Sequence, residues 1–163
     1  MPHHQQHMSH YRRTGFWGRR AAGCLFLARS TARLCFALRS RHALQPLTYG
    51  TWGGAMDGAE SPLAAVRRET IEEAGVDLNE ARFTPLYVFR QDDVFEYHNF
   101  VVETDDEFSP VLNWENAGFV WADFEDWPQP LHPGVASLLS DRDSLKETSR
   151  IIQDLSVPAA RDK

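Results

Sequence analysis

Residues 54–76 read GAMDGAESPLAAVRRETIEEAGV, and this stretch predicts a glycine-containing loop followed by a capped helix. Ser61 is a favourable N-cap residue, and Pro62 suits the first helical position. Gly75 is the residue type that ends many helices in the left-handed conformation. The sequence therefore predicts a helix over residues 62–74.

This helix carries three carboxylates where local stability favours other residues. Glu69, Glu72 and Glu73 are spaced i, i+3 and i+4, and like charges at these spacings cost about 0.2–0.5 kcal/mol per pair. They also lie in the last turns, where the helix dipole disfavours negative charge by about 0.3–1 kcal/mol. The helical period predicts that they share the side opposite the apolar residues, which are Leu63, Val66, Thr70, Ile71 and Ala74.

The helix by itself leaves two interpretations open. A solvated acidic face is common in an acidic protein, and the net charge here is −6. Alternatively, a bound cation compensates for the carboxylate repulsion, and ligands that offer only oxygen favour Mg²⁺ or Mn²⁺. The flanking residues favour the cation.

The stretch resembles the Nudix box, whose pattern is G-x5-E-x7-R-E-U-x-E-E-x-G-U, with U an apolar residue. Thr70 departs from the pattern at the first U position, although its methyl group can still face the core, and Val76 occupies the last one. At average residue usage, chance agreement at seven exact positions is on the order of one in a million. Those seven residues are Gly54, Glu60, Arg68, Glu69, Glu72, Glu73 and Gly75.

The resemblance to the Nudix (MutT-like) hydrolases implies an α/β/α sandwich built on a mixed sheet. It also implies hydrolysis of a nucleoside diphosphate linked to another group, so the expected partner is a small nucleotide derivative. On this resemblance Glu69, Glu72 and Glu73 bind Mg²⁺ or Mn²⁺, with the Gly54 carbonyl as a further ligand. Glu69 is the first choice for the catalytic base.

Supporting roles follow for other residues. Arg68 is expected to orient a catalytic glutamate through charge-assisted hydrogen bonds. Glu60 either contacts the metal's outer shell or caps the helix. Many relatives place another catalytic acid in a loop before a late Trp-bearing strand, and Glu115 matches that position, with Glu103 and Glu107 as competitors.

Substrate contacts are expected from the end of the second predicted strand. Arg39 and Arg41 lie there, and guanidinium groups bind phosphate well. Aromatic residues are assigned either to nucleobase stacking or to core packing, and these are Tyr49, Phe89, Tyr97 and Trp114.

Apolar runs and turn residues predict the remaining elements. Residues 44–58 are expected to form a loop, and residues 123–133 an irregular segment. Short helices are expected near residues 134–140 and 144–155. Strands on both sides of a central helix indicate a mixed α/β domain. The predicted strands are residues 22–28, 33–39, 83–90, 95–103 and 118–122.

The length of 163 residues favours one domain, expected over residues 21–155. A flexible basic tail is expected at residues 1–20 and a second tail at residues 156–163. No apolar run approaches the ~20 residues of a membrane-spanning helix. Cys24 and Cys35 lie in apolar runs, so we interpret them as buried thiols, which favours a reducing, cytoplasmic location.

Charge is distributed unevenly along the chain. Residues 1–56 contain eight arginines and no acid, a composition seen in transit peptides and nucleic-acid-binding arms. The acidic remainder argues against strong nucleic-acid binding, so a capped RNA end stays a minor alternative. No acid or cysteine accompanies the four histidines of the tail, and no metal site is predicted there; they are His3, His4, His7 and His10.

Two other functions belong to different classes. A catalytically silent Nudix-fold binding module typically lacks box glutamates, whereas all four are present here. A diphosphate isomerase on the same scaffold needs a Cys or Glu acid–base pair in its pocket. The oligomeric state is left open, although many relatives form homodimers.

Overall fold

The computed structural model describes residues 2–16 and 18–156. These residues contain seven strands and four helices. No helix in these ranges is long and apolar enough to cross a membrane. The helices are α1 (Pro2–Thr14), α2 (Pro62–Ala74), α3 (Pro133–Leu138) and α4 (Arg142–Leu155). The strands are β1 (Arg20–Ala28), β2 (Leu34–Arg39), β3 (Tyr49–Gly50), β4 (Trp52–Ala55), β5 (Phe83–Gln91), β6 (Phe95–Thr104) and β7 (Asn116–Ala122).

The sheet is mixed and runs in the order β3-β2-β1-β6-β5. Strand β1 is parallel to β6, and the other pairs are antiparallel. One edge of β1 is shared by two strands, because β4 pairs with Ala21–Cys24 and β2 pairs with Phe26 and Leu27. Because β3 pairs with β2, the chain changes its pairing partner from β2 to β1 between β3 and β4.

Each face of the sheet packs against its own helices. Cys24 and Phe26 of β1 lie in a core with Val66 of α2. Leu25 and Leu27 point to the opposite face and lie in a second core that includes residues of α3 and α4. Both faces of β1 are buried, so its sequence is a continuous apolar run rather than an alternating one. The expected α/β/α sandwich on a mixed sheet is confirmed.

Helix α2 begins and ends where the sequence predicts. The Ser61 Oγ accepts a hydrogen bond from the Ala64 N–H at 3.1 Å, and Gly75 has φ +67°. The predicted loop at residues 44–58 is interrupted by β3 and β4. These strands have two and four residues, which is too short for an apolar period, and they form by pairing with β1 and β2.

The sequence predicts a flexible basic tail at residues 1–20, and in the structure residues 2–14 of this segment form α1. His10 is 7% exposed, the His7 Nε2 lies 3.3 Å from the Asp57 Oδ1, and the ring of Phe16 stacks on that of Phe95. The segment contacts the rest of the protein through histidines and one aromatic ring. It therefore has no apolar stripe from which the helix could be predicted. The flexibility of the tail stays a prediction, and residues 157–163 lie outside the described ranges.

Ser61→Ala is expected to lower the free energy of unfolding by about 1 kcal/mol, because alanine cannot accept the Ala64 N–H. Urea denaturation followed by circular dichroism measures this change. Ser30→Ala is the control, since Ser30 is exposed and bonds Asp105 through its backbone. Equal stability of the Ser61 variant and the unmodified protein would contradict the capping role.

Candidate active site

Two of the three helical glutamates face the protein interior. Glu69 is 7% exposed and Glu73 is 1% exposed, while the Glu72 side chain is 54% exposed. Ile71, which the helical period assigns to the apolar side, is 52% exposed. The prediction that all three glutamates lie opposite the buried side is therefore wrong. The inner side of α2 combines Val66 and other apolar residues with two carboxylates that face β4.

Glu73 is the most deeply buried carboxylate of the site. Its Oε2 accepts a hydrogen bond from the Gly53 N–H at 2.8 Å. The carboxyl group of Glu115 lies close to that of Glu73. Burial raises the pKa of Glu73 well above its usual value, and the charges of Glu115 and Glu69 raise it further.

Glu69 lies beside the backbone of Gly54. A Cβ atom on Gly54 would be 2.8 Å from the Glu69 Oε1, so the missing side chain leaves room for the carboxylate. Burial raises the pKa of Glu69 to about 7, against the lowering effect of Arg68 and with a further increase from Glu72 and Glu115. The site therefore concentrates more negative charge than its own cation balances.

Arg68 connects the loop to the carboxylates. Its Nη1 donates to the Glu69 Oε1 at 2.8 Å, and its Nη2 donates to the Ala55 carbonyl at 2.9 Å. Its Nε and Nη2 bond the two oxygens of Glu60 at 3.0 and 3.1 Å. This geometry agrees with the expectation that Arg68 orients a glutamate. Ser61 rather than Glu60 caps α2, and a metal contact of Glu60 stays a prediction.

Glu115 reaches the site from the loop before β7. Its carbonyl accepts the Ser40 N–H at 2.8 Å, which holds this loop against the end of β2. The two competing acids lie in other ion pairs. Glu103 pairs with Arg29 and Arg82, and Glu107 pairs with Arg33. The structure thus brings Glu115, and neither competitor, to the carboxylates of α2.

The donor set suits a hard divalent cation. Glu69, Glu72, Glu73 and Glu115 offer only oxygen, which is the ligand preference of Mg²⁺ and Mn²⁺. Arg68 is shared with Glu60, so it does not neutralise these four carboxylates. In the described residues, no group of three His, Cys, Asp or Glu side chains is already arranged around one metal position. The Glu72 side chain is 54% exposed, and its Oε2 lies 3.4 Å from the Arg68 Nη1.

Arg39 and Arg41 have different surroundings. Arg39 is half-buried at the end of β2, and its Nε donates to the Leu44 carbonyl at 2.5 Å. Throughout residues 2–16 and 18–156 no carboxylate pairs with Arg39, whereas the partly buried Arg33 and Arg68 both have such a partner. Arg41 is exposed in the following turn. Arg39 directly precedes Ser40, which bonds the Glu115 carbonyl, so it lies near the loop that carries Glu115. A substrate role for Arg39 or Arg41 stays a prediction.

Sequence reasoning missed a bridge across β1 beside these carboxylates. The Tyr97 hydroxyl and the Thr51 hydroxyl are 2.7 Å apart, and they meet over Gly23. A Cβ atom on Gly23 would be 2.1 Å from the Tyr97 hydroxyl oxygen. The glycine within an apolar strand is the sequence signal, since it marks a close approach by another group.

The chain resembles known proteins in both sequence and fold. The family model described as NUDIX domain matches residues 17–141. The chain belongs to the NUDIX family. Helix α1 precedes the matched residues, so it is an addition to the part of the chain that the family defines.

The curated relatives are mycobacterial proteins. One from Mycobacterium tuberculosis, named "Putative 8-oxo-dGTP diphosphatase 3", is 33% identical over 132 residues. The match covers 75% of this chain and 61% of that protein, so the NUDIX chain spans about three-fifths of the length of this relative.

Solved structures share the fold. A Nudix hydrolase from M. smegmatis, RenU, has a TM-score of 0.65 and 24% identity, with 87% of this chain and 91% of that chain covered. A MutT NUDIX hydrolase from Burkholderia pseudomallei has a TM-score of 0.59 and 26% identity, with 75% and 95% covered.

Gly54→Ala is expected to weaken Mg²⁺ binding by about 10-fold, because the new Cβ displaces the Glu69 carboxylate. The fold is retained, since the clash is with the end of a side chain rather than with backbone. Isothermal titration calorimetry measures the affinity. Gly118→Ala is the control, because its nearest neighbour would be a Leu38 methyl at 3.7 Å. Unchanged affinity in the Gly54 variant would contradict this placement of Glu69.

The stability of metal-free protein is expected to fall as the pH rises from about 4.5 to about 7. The folded state holds the Glu69 proton more tightly than the unfolded state, so the stabilisation is complete at low pH and is lost through about pH 7. Glu69→Gln removes this component. Thermal unfolding in EDTA at several pH values compares the two proteins, and parallel profiles would contradict the raised pKa.

Proposed function

We propose that this protein is a divalent-metal-dependent hydrolase that cleaves the phosphoanhydride of a nucleoside diphosphate linked to another group. The observation that carries this proposal is the cluster of Glu69, Glu73 and Glu115 beside the Gly53–Gly54 backbone. A buried cluster of repelling carboxylates destabilises a fold, and carboxyl groups with strongly raised pKa values are concentrated at functional sites. Membership of the NUDIX family supports the same conclusion.

The metal ligands in this proposal are Glu69, Glu72, Glu73 and the Gly54 carbonyl, with Glu60 in the outer shell. When bound, Mg²⁺ or Mn²⁺ neutralises charge on the phosphate oxygens and makes a bound water more acidic. Oxygen-only donors and an excess of negative charge support this assignment.

The protein's own residues then have separate roles. Glu69 is our first choice for the base, because its carboxyl group lies beside the Gly54 backbone and among the proposed metal ligands. Arg68 holds Glu69 in place through the 2.8 Å hydrogen bond. The position of Glu115 next to the carboxyl groups of Glu69 and Glu73 supports a catalytic role.

The substrate class is proposed from the relatives and from Arg39. A relative is named for 8-oxo-dGTP, a nucleoside triphosphate, and this makes purine nucleoside triphosphates the first candidates. Arg39 has no carboxylate partner among the described residues, so its guanidinium is available for phosphate or for the base. Arg41 is an additional phosphate contact in this proposal. A cytoplasmic location and a homodimer stay predictions.

Chromatographic separation of the cleavage products across a nucleotide panel tests the activity. The panel contains dGTP, 8-oxo-dGTP, dATP, ADP-ribose, NADH, nucleotide sugars, dinucleoside polyphosphates and capped RNA, each with Mg²⁺ or Mn²⁺. Glu73→Gln is expected to reduce turnover by about 100-fold or more with the fold retained, since one group that stabilises the transition state is removed. Glu80→Gln is the matched control, because Glu80 is exposed outside the site.

The outcomes separate the two readings of the family resemblance. Cleavage of one class, lost in the Glu73 variant and kept in the Glu80 variant, supports the hydrolase. No cleavage of any compound, with Mg²⁺ still bound, would instead support a catalytically silent nucleotide-binding module. Full activity of Glu73→Gln would refute the metal assignment.

A further inference from the structure

His132 lies beside the candidate site although it is distant from the box in the sequence. Its backbone N–H donates to the Tyr49 carbonyl at 2.8 Å, and the Tyr49 N–H donates to the Pro130 carbonyl at 2.9 Å. Residues 130–132 therefore run along β3 like a short additional strand, with Leu131 bridged to Tyr49. This pairing positions His132 next to Gly50 and at the start of α3.

The hydrogen bonds of His132 determine which ring nitrogen carries the proton. The Gly134 N–H donates to the Nδ1 at 3.0 Å, so Nδ1 is unprotonated. Burial, aided by the charge of Arg39, lowers the pKa of His132 to about 4, and the ring is therefore neutral at pH 7. The remaining proton lies on Nε2. In the described part of the chain no group accepts this Nε2–H.

Gly50 leaves space between His132 and Arg39. A Cβ atom on Gly50 would lie 3.6 Å from the Arg39 Cδ and 3.8 Å from the His132 Cβ. Arg39 is in turn followed by Ser40, which bonds the Glu115 carbonyl at 2.8 Å. Arg39 thus neighbours both His132 and the loop that supplies a carboxylate to the cluster.

We propose that the Nε2–H of His132 and the guanidinium of Arg39 together bind acceptor oxygens of the nucleotide, and that His132 is a specificity-determining residue. This inference rests on the proposed function, because it places the contact on the substrate of that site. Both side chains are partly buried and offer only donors here. A partly buried donor that the wrong ligand leaves unpaired weakens the binding of that ligand, which is the physical basis for discrimination.

The shared chemistry is an oxygen acceptor, which a nucleotide offers on its phosphates and on the carbonyl edge of an oxopurine. An arginine that donates to the O6 and N7 of guanine distinguishes this base from adenine, which has an amino group at that position. The guanidinium of Arg39 suits either acceptor, whereas the neutral His132 adds no charge for phosphate. The neutral donor therefore favours the carbonyl edge, and the experiment below distinguishes the two sources.

Two substitutions separate binding from helix capping. His132→Asn keeps an acceptor near the position of Nδ1 for the Gly134 N–H but removes the distal donor. His132→Gln keeps a donor near the position of Nε2 but removes that cap. His42→Asn is the control, because His42 is exposed in the loop after β2.

The measurement is isothermal titration calorimetry of the full chain in EDTA with dGMP, dAMP and inorganic phosphate. We expect His132→Asn to weaken binding of dGMP by about 10-fold, while His132→Gln and His42→Asn stay within about 3-fold of the unmodified protein. Loss confined to dGMP assigns the contact to the base. Equal loss for all three probes assigns it to phosphate.

Three results would overturn the proposal. They are unchanged binding in His132→Asn, a loss in His132→Gln that equals the loss in His132→Asn, and no binding of any probe to the unmodified protein. Because the assay contains no metal and needs no turnover, a protein that binds dGMP through His132 but cleaves nothing would refute the proposed function and leave this inference standing.

Discussion

The hydrogen bond from the Gly53 N–H to the buried carboxyl group of Glu73 is the contact around which the site is built. This hydrogen bond connects β4 to α2, and β4 also pairs with β1. A Cβ atom on Gly53 would be 2.1 Å from the Ala22 carbonyl oxygen, so only glycine allows this approach of the two strands. Gly54 then leaves the space that Glu69 occupies. Two consecutive glycines thus set the distance between the sheet and the acidic side of the helix.

This arrangement places carboxyl groups inside the fold and thereby lowers the stability of the folded state. Burying Glu69 and Glu73 beside Glu115 raises the pKa of both α2 carboxyl groups, which means that their ionised forms destabilise the folded state. The opposing contribution comes from Arg68, which bonds Glu69, Glu60 and a loop carbonyl together. Such local conflicts are expected at functional sites, where the requirement for charge outweighs that for stability.

Features that depend on adjacent residues could be predicted from the sequence, whereas features that depend on distant residues could not. The bounds of α2 depend on Ser61, Pro62 and Gly75, which act on adjacent residues, and the structure confirms them. The burial of Glu73 was missed, because helical periodicity assigns charged residues to solvent and contains no information about β4. Strands β3 and β4 and helix α1 depend on partners far along the chain, such as Phe95 for Phe16, and leave no periodic signal.

The two halves of the site differ in the same way. The carboxylate half comes largely from one helix and the loop before it, so a contiguous motif is sufficient to recognise it. The donor half is assembled from the end of β2, from β3 and from the segment that leads into α3, and it contains Arg39, Gly50 and His132. Their proximity exists only after the sheet has formed and residues 130–132 have paired with Tyr49. In the function that we propose, the reaction chemistry is therefore encoded locally, whereas the substrate preference depends on tertiary structure. The proposal expects that a chain that keeps the box but changes His132 or Gly50 retains the reaction type and accepts a different substrate.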